Sequence, residues 1–312
     1  MLWILLATAG ATVNAAYYIV TKRLLHTIGR NVLAAGGFLV TGVFLFILAL
    51  IRGIPPLGNE LFIAIAVTSV LNIIATTLVF RALAITDISL AIPMISFTPI
   101  FLILTSFLLL HEIPTPLGVA GICVIVTGSY VLNLSSTHTS FFDPFRAILK
   151  DRGSASMLIV AFLYAITLNF DKKVVLNSDP VFGSALVYLV IGTSFFVIGQ
   201  VSVQRDRTVQ NRTSLPANQL PATPVQQPGL MEPYVAGALA FAIIGILLAI
   251  ESVTINYAFT MQIVPYVIAI KRMSIILTVL YGTIVAREGE ALRRLTGAGL
   301  MVAGAVLIIL AG

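Results

Sequence analysis

The chain has 312 residues, 59% of them hydrophobic and 10% charged, with a formal net charge of +6 and a mean hydropathy of +1.05. Soluble domains run at about 45–50% apolar and about 25% charged, so a soluble globule is excluded and an integral membrane protein is implied. The 18 basic residues are scattered, which excludes nucleic-acid binding, and the single cysteine, Cys123, excludes an internal disulfide or a thiolate metal cage.

A helix needs about 20 mainly apolar residues to cross the hydrocarbon core. Such runs fall at roughly 2–21, 33–51, 61–82, 88–110 and 117–134, and again at roughly 157–176, 181–203, 235–258, 263–286 and 295–311. Dyad alternation in segments of about ten residues, the mark of a membrane β-barrel, is absent. The first run carries its positive charges, Lys22 and Arg23, after the apolar stretch rather than before it, so it reads as helix 1 and not as a signal peptide. Residues 135–156 and 204–233 are polar enough to leave the bilayer, and the second stretch, rich in Gln, Asn, Pro and Thr, reads as a flexible loop.

The two sets of five runs are related. At a shift of 176 residues, Glu112 aligns with Glu288, Gly121 with Gly297 and Gly128 with Gly304. At a shift of 150, Lys22-Arg23 aligns with Lys172-Lys173. The chain thus divides into a first five-helix unit over 1–136, a polar linker over 137–156 and a second five-helix unit over 157–312. Because five is odd, the second copy enters the membrane from the opposite side. The expected fold class is an all-α integral membrane protein of ten transmembrane helices, arranged as two inverted five-helix repeats. That is an architecture of secondary transporters, which hold substrate near the midplane between the halves.

Residues 81–132 and 257–308 each carry a small-residue turn ("RALAITD", "YAFTMQI"), a long helix closed by a Glu, and a glycine-bearing helix ("GVAGICVIVTGSYVL", "LTGAGLMVAGAVLI"). In these features the chain resembles the drug/metabolite transporter superfamily, specifically its EamA-type ten-helix members. The resemblance implies a 5+5 inverted bundle, a central cavity lined by helices 1, 3, 4, 6, 8 and 9, and export or exchange of small metabolites. The adjacent Lys271-Arg272 in helix 9 is also similar to the organic-phosphate antiporters of that superfamily. The further basic residue those proteins place in helix 4 is missing here.

Glu251, Lys271 and Arg272 lie well inside predicted spans, where each ionised side chain costs about 2.5–3.5 kcal/mol. They must therefore face one another or water. Glu251 is ten residues before, and Lys271 ten after, a turn near Met261, so both sit at one depth, about 15 Å from it. Lys271, Ser274, Thr278 and Tyr281 are spaced 3, 4 and 3 apart and would share a face of helix 9. Arg272, about 100° round the helix, would look toward a neighbouring helix. The first half offers Ile95 and Ser96 at the positions of Lys271 and Arg272, which makes any charged site asymmetric.

Polar groups at helical spacing point to the same pocket: Asn14 and Tyr18 in helix 1, Thr68, Asn72 and Thr76 in helix 3, and Tyr164, Thr167 and Asp171 in helix 6, with Asn169 to one side. Each has two readings, a hydrogen bond that knits helices together or a contact to a solute. The candidate substrate-binding set is Glu251, Lys271, Arg272, Ser274, Thr278, Tyr281, Asn14, Tyr18, Asn72, Ser96, Tyr164 and Asn169. Pro93, Pro99 and Pro265 are expected to kink helices 4 and 9. Glu112 and Glu288 read as interfacial structural acids, leaving Glu251 or Asp171 as the carboxylate that could carry a proton. The glycines of helices 5 and 10 suit close packing within the bundle or between two protomers of a homodimer.

No P-loop, H-E-x-x-H or G-x-S-x-G sequence occurs, and nothing clusters the three histidines, so no cofactor, metal or enzymatic activity is expected. Odd-numbered connections hold thirteen Lys and Arg and even-numbered ones three, which by the positive-inside rule places both termini outside the cytoplasm. The reading is a transporter in the plasma (inner) membrane that moves a small polar solute, anionic or zwitterionic, by alternating access. Its rivals are a lipid-linked sugar flippase and a non-transporting membrane assembly protein. The expected partners are a small-molecule substrate and the lipid bilayer.

Overall fold

The computed structural model describes residues 1–24, 27–85, 94–133, 152–212, 232–277 and 291–312. Ten helices follow in order: α1 Leu2–Leu24, α2 Arg30–Arg52, α3 Leu61–Ile85, α4 Thr98–Leu110, α5 Pro116–Asn133, α6 Arg152–Leu176, α7 Pro180–Arg212, α8 Glu232–Met261, α9 Val264–Lys271 and α10 Ala291–Ala311. Five of them, α1, α2, α3, α7 and α8, are long and apolar enough to cross a membrane, and α4, α5 and α10 contribute shorter apolar helices. The chain is a multi-pass membrane protein. Leu5, Ile51, Phe62 and Leu310 are among the large apolar side chains left exposed, as a protein solvated by lipid requires.

Two boundaries differ from the sequence expectation. Residues 152–156 already belong to α6, and α7 runs nine residues past 203 into the stretch read as a loop. Between Gly199 and Pro216 the sequence has neither Gly nor Pro. Polarity there marks where a span leaves the bilayer, and without a helix breaker the helix itself continues.

Packing carries a pseudo-two-fold relation. Helix α2 packs on α7, α5 on α10 and α4 on α9, each pair made of one helix and its repeat equivalent. The contact of α1 with α8 is matched by that of α6 with α3, the same pairing with the repeats exchanged. Glycines record the relation at atomic scale. A Cβ on Gly121 would stand 2.8 Å from Gly304 O, and one on Gly304 would stand 2.7 Å from Gly121 O. Gly128 and Gly297 meet each other's carbonyls in the same way, at 2.7 and 2.8 Å. Between α2 and α7, Gly42 abuts Leu189 N and Gly192 abuts Leu39 N, both at 2.8 Å, at the shift of 150 residues seen in the sequence. Residue i touching j′ while j touches i′ is what a two-fold produces. The small-residue faces are thus consumed inside the bundle, where they let backbones approach closely.

Helices 4 and 9 are both broken, at equivalent places. Met94 and Ile95 are helical, Ser96 and Phe97 form a turn, and α4 follows; α9 ends at Lys271, Arg272 and Met273 form a turn, and Ser274–Leu277 are helical again. The tightened hydrogen bonds repeat at a shift of 176: Phe97 N–H to Met94 O with Met273 N–H to Ile270 O, and Ile100 N–H to Phe97 O with Ile276 N–H to Met273 O. In the first copy Pro99 has no N–H to give Ile95 O, and the Thr98 hydroxyl donates there instead at 2.7 Å. The second copy has the same break with no proline in it. Pro265 does not cause it: it lies in the first turn of α9, where a missing N–H leaves no bond unmade. Pro93 lies outside the described residues.

Candidate functional site

The turn between α8 and α9 sets the register of the central charges. Helix α8 ends at Met261, and Pro265 opens α9 with its φ already suited to a helix. Ten residues either side of that turn, the Lys271 ammonium forms an ion pair with the Glu251 carboxylate, the Glu251 side chain being only 8% exposed. Arg272, expected to look toward a neighbouring helix, has its charge near the same group. It lies within electrostatic range of Glu251, Tyr18 and Tyr164. The helix is unbroken up to this residue, Arg272 N–H still bonding Ile268 O, so the offset from Lys271 is spanned by the length of the guanidinium side chain. Its Nε is buried and has no hydrogen-bond partner among the described residues.

The equivalent residue in the first copy behaves differently. Ser96 is buried, and its hydroxyl is 2.7 Å from that of Ser129 on α5, either one donating. The residue equivalent to Ser129 is Ala305, which offers no hydrogen bond to Arg272. Ser96 thus ties the first broken helix to its own repeat, while Arg272 addresses the centre.

Around the charges stand aromatic hydroxyls. Tyr17 and Tyr18 of α1 have ring centroids 5.5 Å apart, and Tyr18 is 49% exposed. Tyr164 of α6 is within electrostatic range of Tyr18 and Arg272, with Thr76 of α3 beside it. Tyr188 of α7 is beside Ser252 and within range of Glu251, Asp171 and Tyr17. Asn14 is buried on α1, and Ser274 is buried just beyond the break. On the α3–α6 side, Asp171 Oδ1 accepts a 2.6 Å hydrogen bond from Thr68 Oγ1. Asn72 Nδ2 donates to both the carbonyl and the hydroxyl oxygen of Thr68, at 3.0 and 3.1 Å.

Asn169 is fully buried and satisfied elsewhere. Its Nδ2 donates to Thr105 Oγ1 at 3.0 Å and to Ala165 O at 2.7 Å, and its Oδ1 accepts from Ser106 at 2.6 Å. In this structure it knits α6 to α4. Thr278 and Tyr281 lie outside the described residues. Tyr17 and Tyr188 were not singled out in the sequence, because a tyrosine among apolar residues carries no periodic signal. Tyr188 also stands on helix 7, outside the six helices expected to line the cavity.

At one end of the bundle a second charged group joins three helices. His111 closes α4 in the left-handed conformation, φ 56°, with its N–H on Phe107 O and that of Glu112 on Ser106 O. This turn aims the Glu112 side chain at the start of α9. Glu112 Oε1 accepts from Lys172 Nζ at 2.6 Å, and Oε2 accepts from Val264 N–H at 2.8 Å. Lys172 Nζ also donates to Gln262 O at 2.8 Å. A carboxylate at a helix N-terminus satisfies an orphan N–H and meets the positive end of the dipole. No group of three metal-ligating side chains occurs among the described residues.

Residues 1–134 match the EamA-like transporter family. A solved structure described as "Crystal structure of protein" is 15% identical and superposes with a TM-score of 0.70, covering 99% of this chain and 98% of its own. That likeness shows a shared fold along nearly the whole length. No curated protein matches the chain.

Proposed function

We propose, for a chain whose residues 1–134 fall in the EamA-like transporter family, that its transport of a small molecule is secondary and active, and that the solute is a small anion or zwitterion. The observation that carries this reading is Arg272. A buried guanidinium nitrogen without a hydrogen-bond partner among the described residues, beside an ion pair that neutralises Lys271, is an unfilled donor at mid-depth. Burying such a donor unmet costs about 1–3 kcal/mol, more for a charged group, which a carboxylate or phosphate oxygen would offset.

Alternating access is supported by the paired breaks. Helices 4 and 9 each carry a short turn at equivalent positions, so each can bend without losing its helical halves. The Glu112–Lys172–Val264 junction binds α4, α6 and α9 at the end bearing the even-numbered connections, and reads as that end held closed. In the cycle we infer, the solute enters from the other end, its acidic group meets Lys271 and Arg272, and Asn14, Asn72 and Tyr164 supply hydrogen bonds. The junction then opens as the opposite end closes. The membrane is taken to be the plasma (inner) membrane.

The test is uptake into proteoliposomes across a panel of labelled small carboxylates, amino acids and inorganic phosphate, with Lys271→Ala alongside. The reading expects uptake of at least one member and its loss in the variant. A solute carried equally well by Lys271→Ala contradicts the anionic site.

A further inference from the structure

The central cluster holds more negative charge than the pair of helices 8 and 9 alone supplies. Asp171 of α6 lies within electrostatic range of Lys271, so the group comprises Lys271 and Arg272 against Glu251 and Asp171. Fully ionised, it sums to zero. An anion entering a neutral site in a medium of low dielectric brings an uncompensated charge, which the protein must balance or exclude.

We propose that the anion is balanced by a proton taken up on Asp171, so that one proton and one anion cross together. This rests on the anion-transport reading above. Of the two carboxylates, Glu251 is in contact with Lys271, and protonating it would strand the ammonium. Asp171 forms no ion pair with a described cation within 4.0 Å and is held by one hydroxyl, that of Thr68.

The hydrogen bonds around Thr68 serve both protonation states. With Asp171 ionised, Thr68 Oγ1 donates to Asp171 Oδ1 at 2.6 Å. With Asp171 protonated, its O–H donates to Thr68 Oγ1, and the threonine hydrogen turns to Thr167 O, already 3.5 Å away. Asn72 Nδ2 stays on Thr68 throughout. Neither state leaves a donor unmet, which is the requirement for a carboxylate that must cycle.

The neighbours that bear on this titration come from every helix packed on α6. Helix α3 gives neutral Thr68 and Asn72, and α4 gives neutral Thr105 and Ser106, with Glu112 just beyond it bound to Lys172. Tyr188 comes from α7, Glu251 from α8 and Lys271 from α9. Lys271 is the cation whose field Asp171 feels, and an anion bound on Lys271 cancels that field. Anion binding and protonation of Asp171 therefore favour each other.

The experiment uses proteoliposomes and the same panel of labelled carboxylates, amino acids and inorganic phosphate, with an inward acid gradient imposed or absent. One proton per anion predicts about tenfold accumulation per pH unit of gradient. Asp171→Asn, neutral like the protonated acid, is expected to lose gradient-driven accumulation, and Asp171→Glu is expected to keep it. Wild-type accumulation indifferent to the gradient overturns the proposal while leaving the transport reading intact, and so does Asp171→Asn accumulation that still follows it. Wild-type protein that carries no anion of the panel overturns both. Should Asp171→Asn not fold, the wild-type gradient measurement decides alone.

Discussion

Gly128 and Gly297 lie against each other's carbonyl oxygens, so that a Cβ on either would come within 2.8 Å of the other's backbone. With Gly121 and Gly304 they mark where α5 and α10 pass backbone against backbone. A side chain at Gly297 therefore has no flexible neighbour to displace. Gly297→Leu is expected to cost at least the 1–3 kcal/mol or so of ordinary overpacking. Gly299→Leu, on the same helix with nothing within 4 Å of its Cβ, is expected to be near neutral. Detergent-solubilised melting temperatures of the two variants check this, and equal temperatures would count against the helix 5–helix 10 contact.

Glu112 makes two kinds of bond, and charge exchange separates them. Glu112→Gln leaves Lys172 facing Gln262 O alone, and removing one partner of a buried pair costs about 3–5 kcal/mol. Both side chains keep 11% exposure, so the loss should fall toward about 2–3 kcal/mol. The exchange Glu112→Lys with Lys172→Glu restores opposite charges yet sets an ammonium against Val264 N–H. It is expected to recover only part of the lost stability, measured by thermal unfolding. Full recovery would mean that the cap on α9 contributes nothing.

The Glu251–Lys271 pair predicts a strong coupling. Glu251→Ala and Lys271→Ala each strand a partner at mid-depth, while the double variant strands neither. A double-mutant cycle on unfolding should give a coupling of about 1–3 kcal/mol, the double variant being less impaired than the two losses added. Simple additivity would mean that the ion pair is not held in the protein.

Thirteen of the eighteen basic residues fall in odd-numbered connections. With Cys123 replaced by alanine, Asn218→Cys places a thiol in the connection between α7 and α8. On intact cells it should resist a membrane-impermeant maleimide and react after permeabilisation. Ready modification of intact cells reverses the orientation.

Much of this organisation is legible in the residues themselves. The ten apolar runs and their doubling can be read because lipid imposes length and the repeat preserves glycines and terminal acids. The depth of Glu251 and Lys271 follows from counting residues from one turn. Where the Arg272 charge lies could not be read, because a long guanidinium side chain can span the offset from Lys271 and only packing decides where it goes. Asn169 shows the converse limit. It falls among polar residues at helical spacing, but only the packing of α4 on α6 decides that its amide is consumed by Thr105, Ser106 and Ala165. Asp171 was visible as a polar member of helix 6, yet its place in the charge balance depends on Lys271, 100 residues away in the chain.

Tyr18, half-exposed and within electrostatic range of Arg272, reports most directly on the proposed water-filled pocket between the repeats. In a protein with Cys123 replaced, Tyr18→Cys should react with a charged, membrane-impermeant methanethiosulfonate from one side of oriented proteoliposomes, and a transported solute should slow that reaction. If the thiol yields only to lipid-soluble reagents, position 18 faces the bilayer and the central pocket is not where the account puts it.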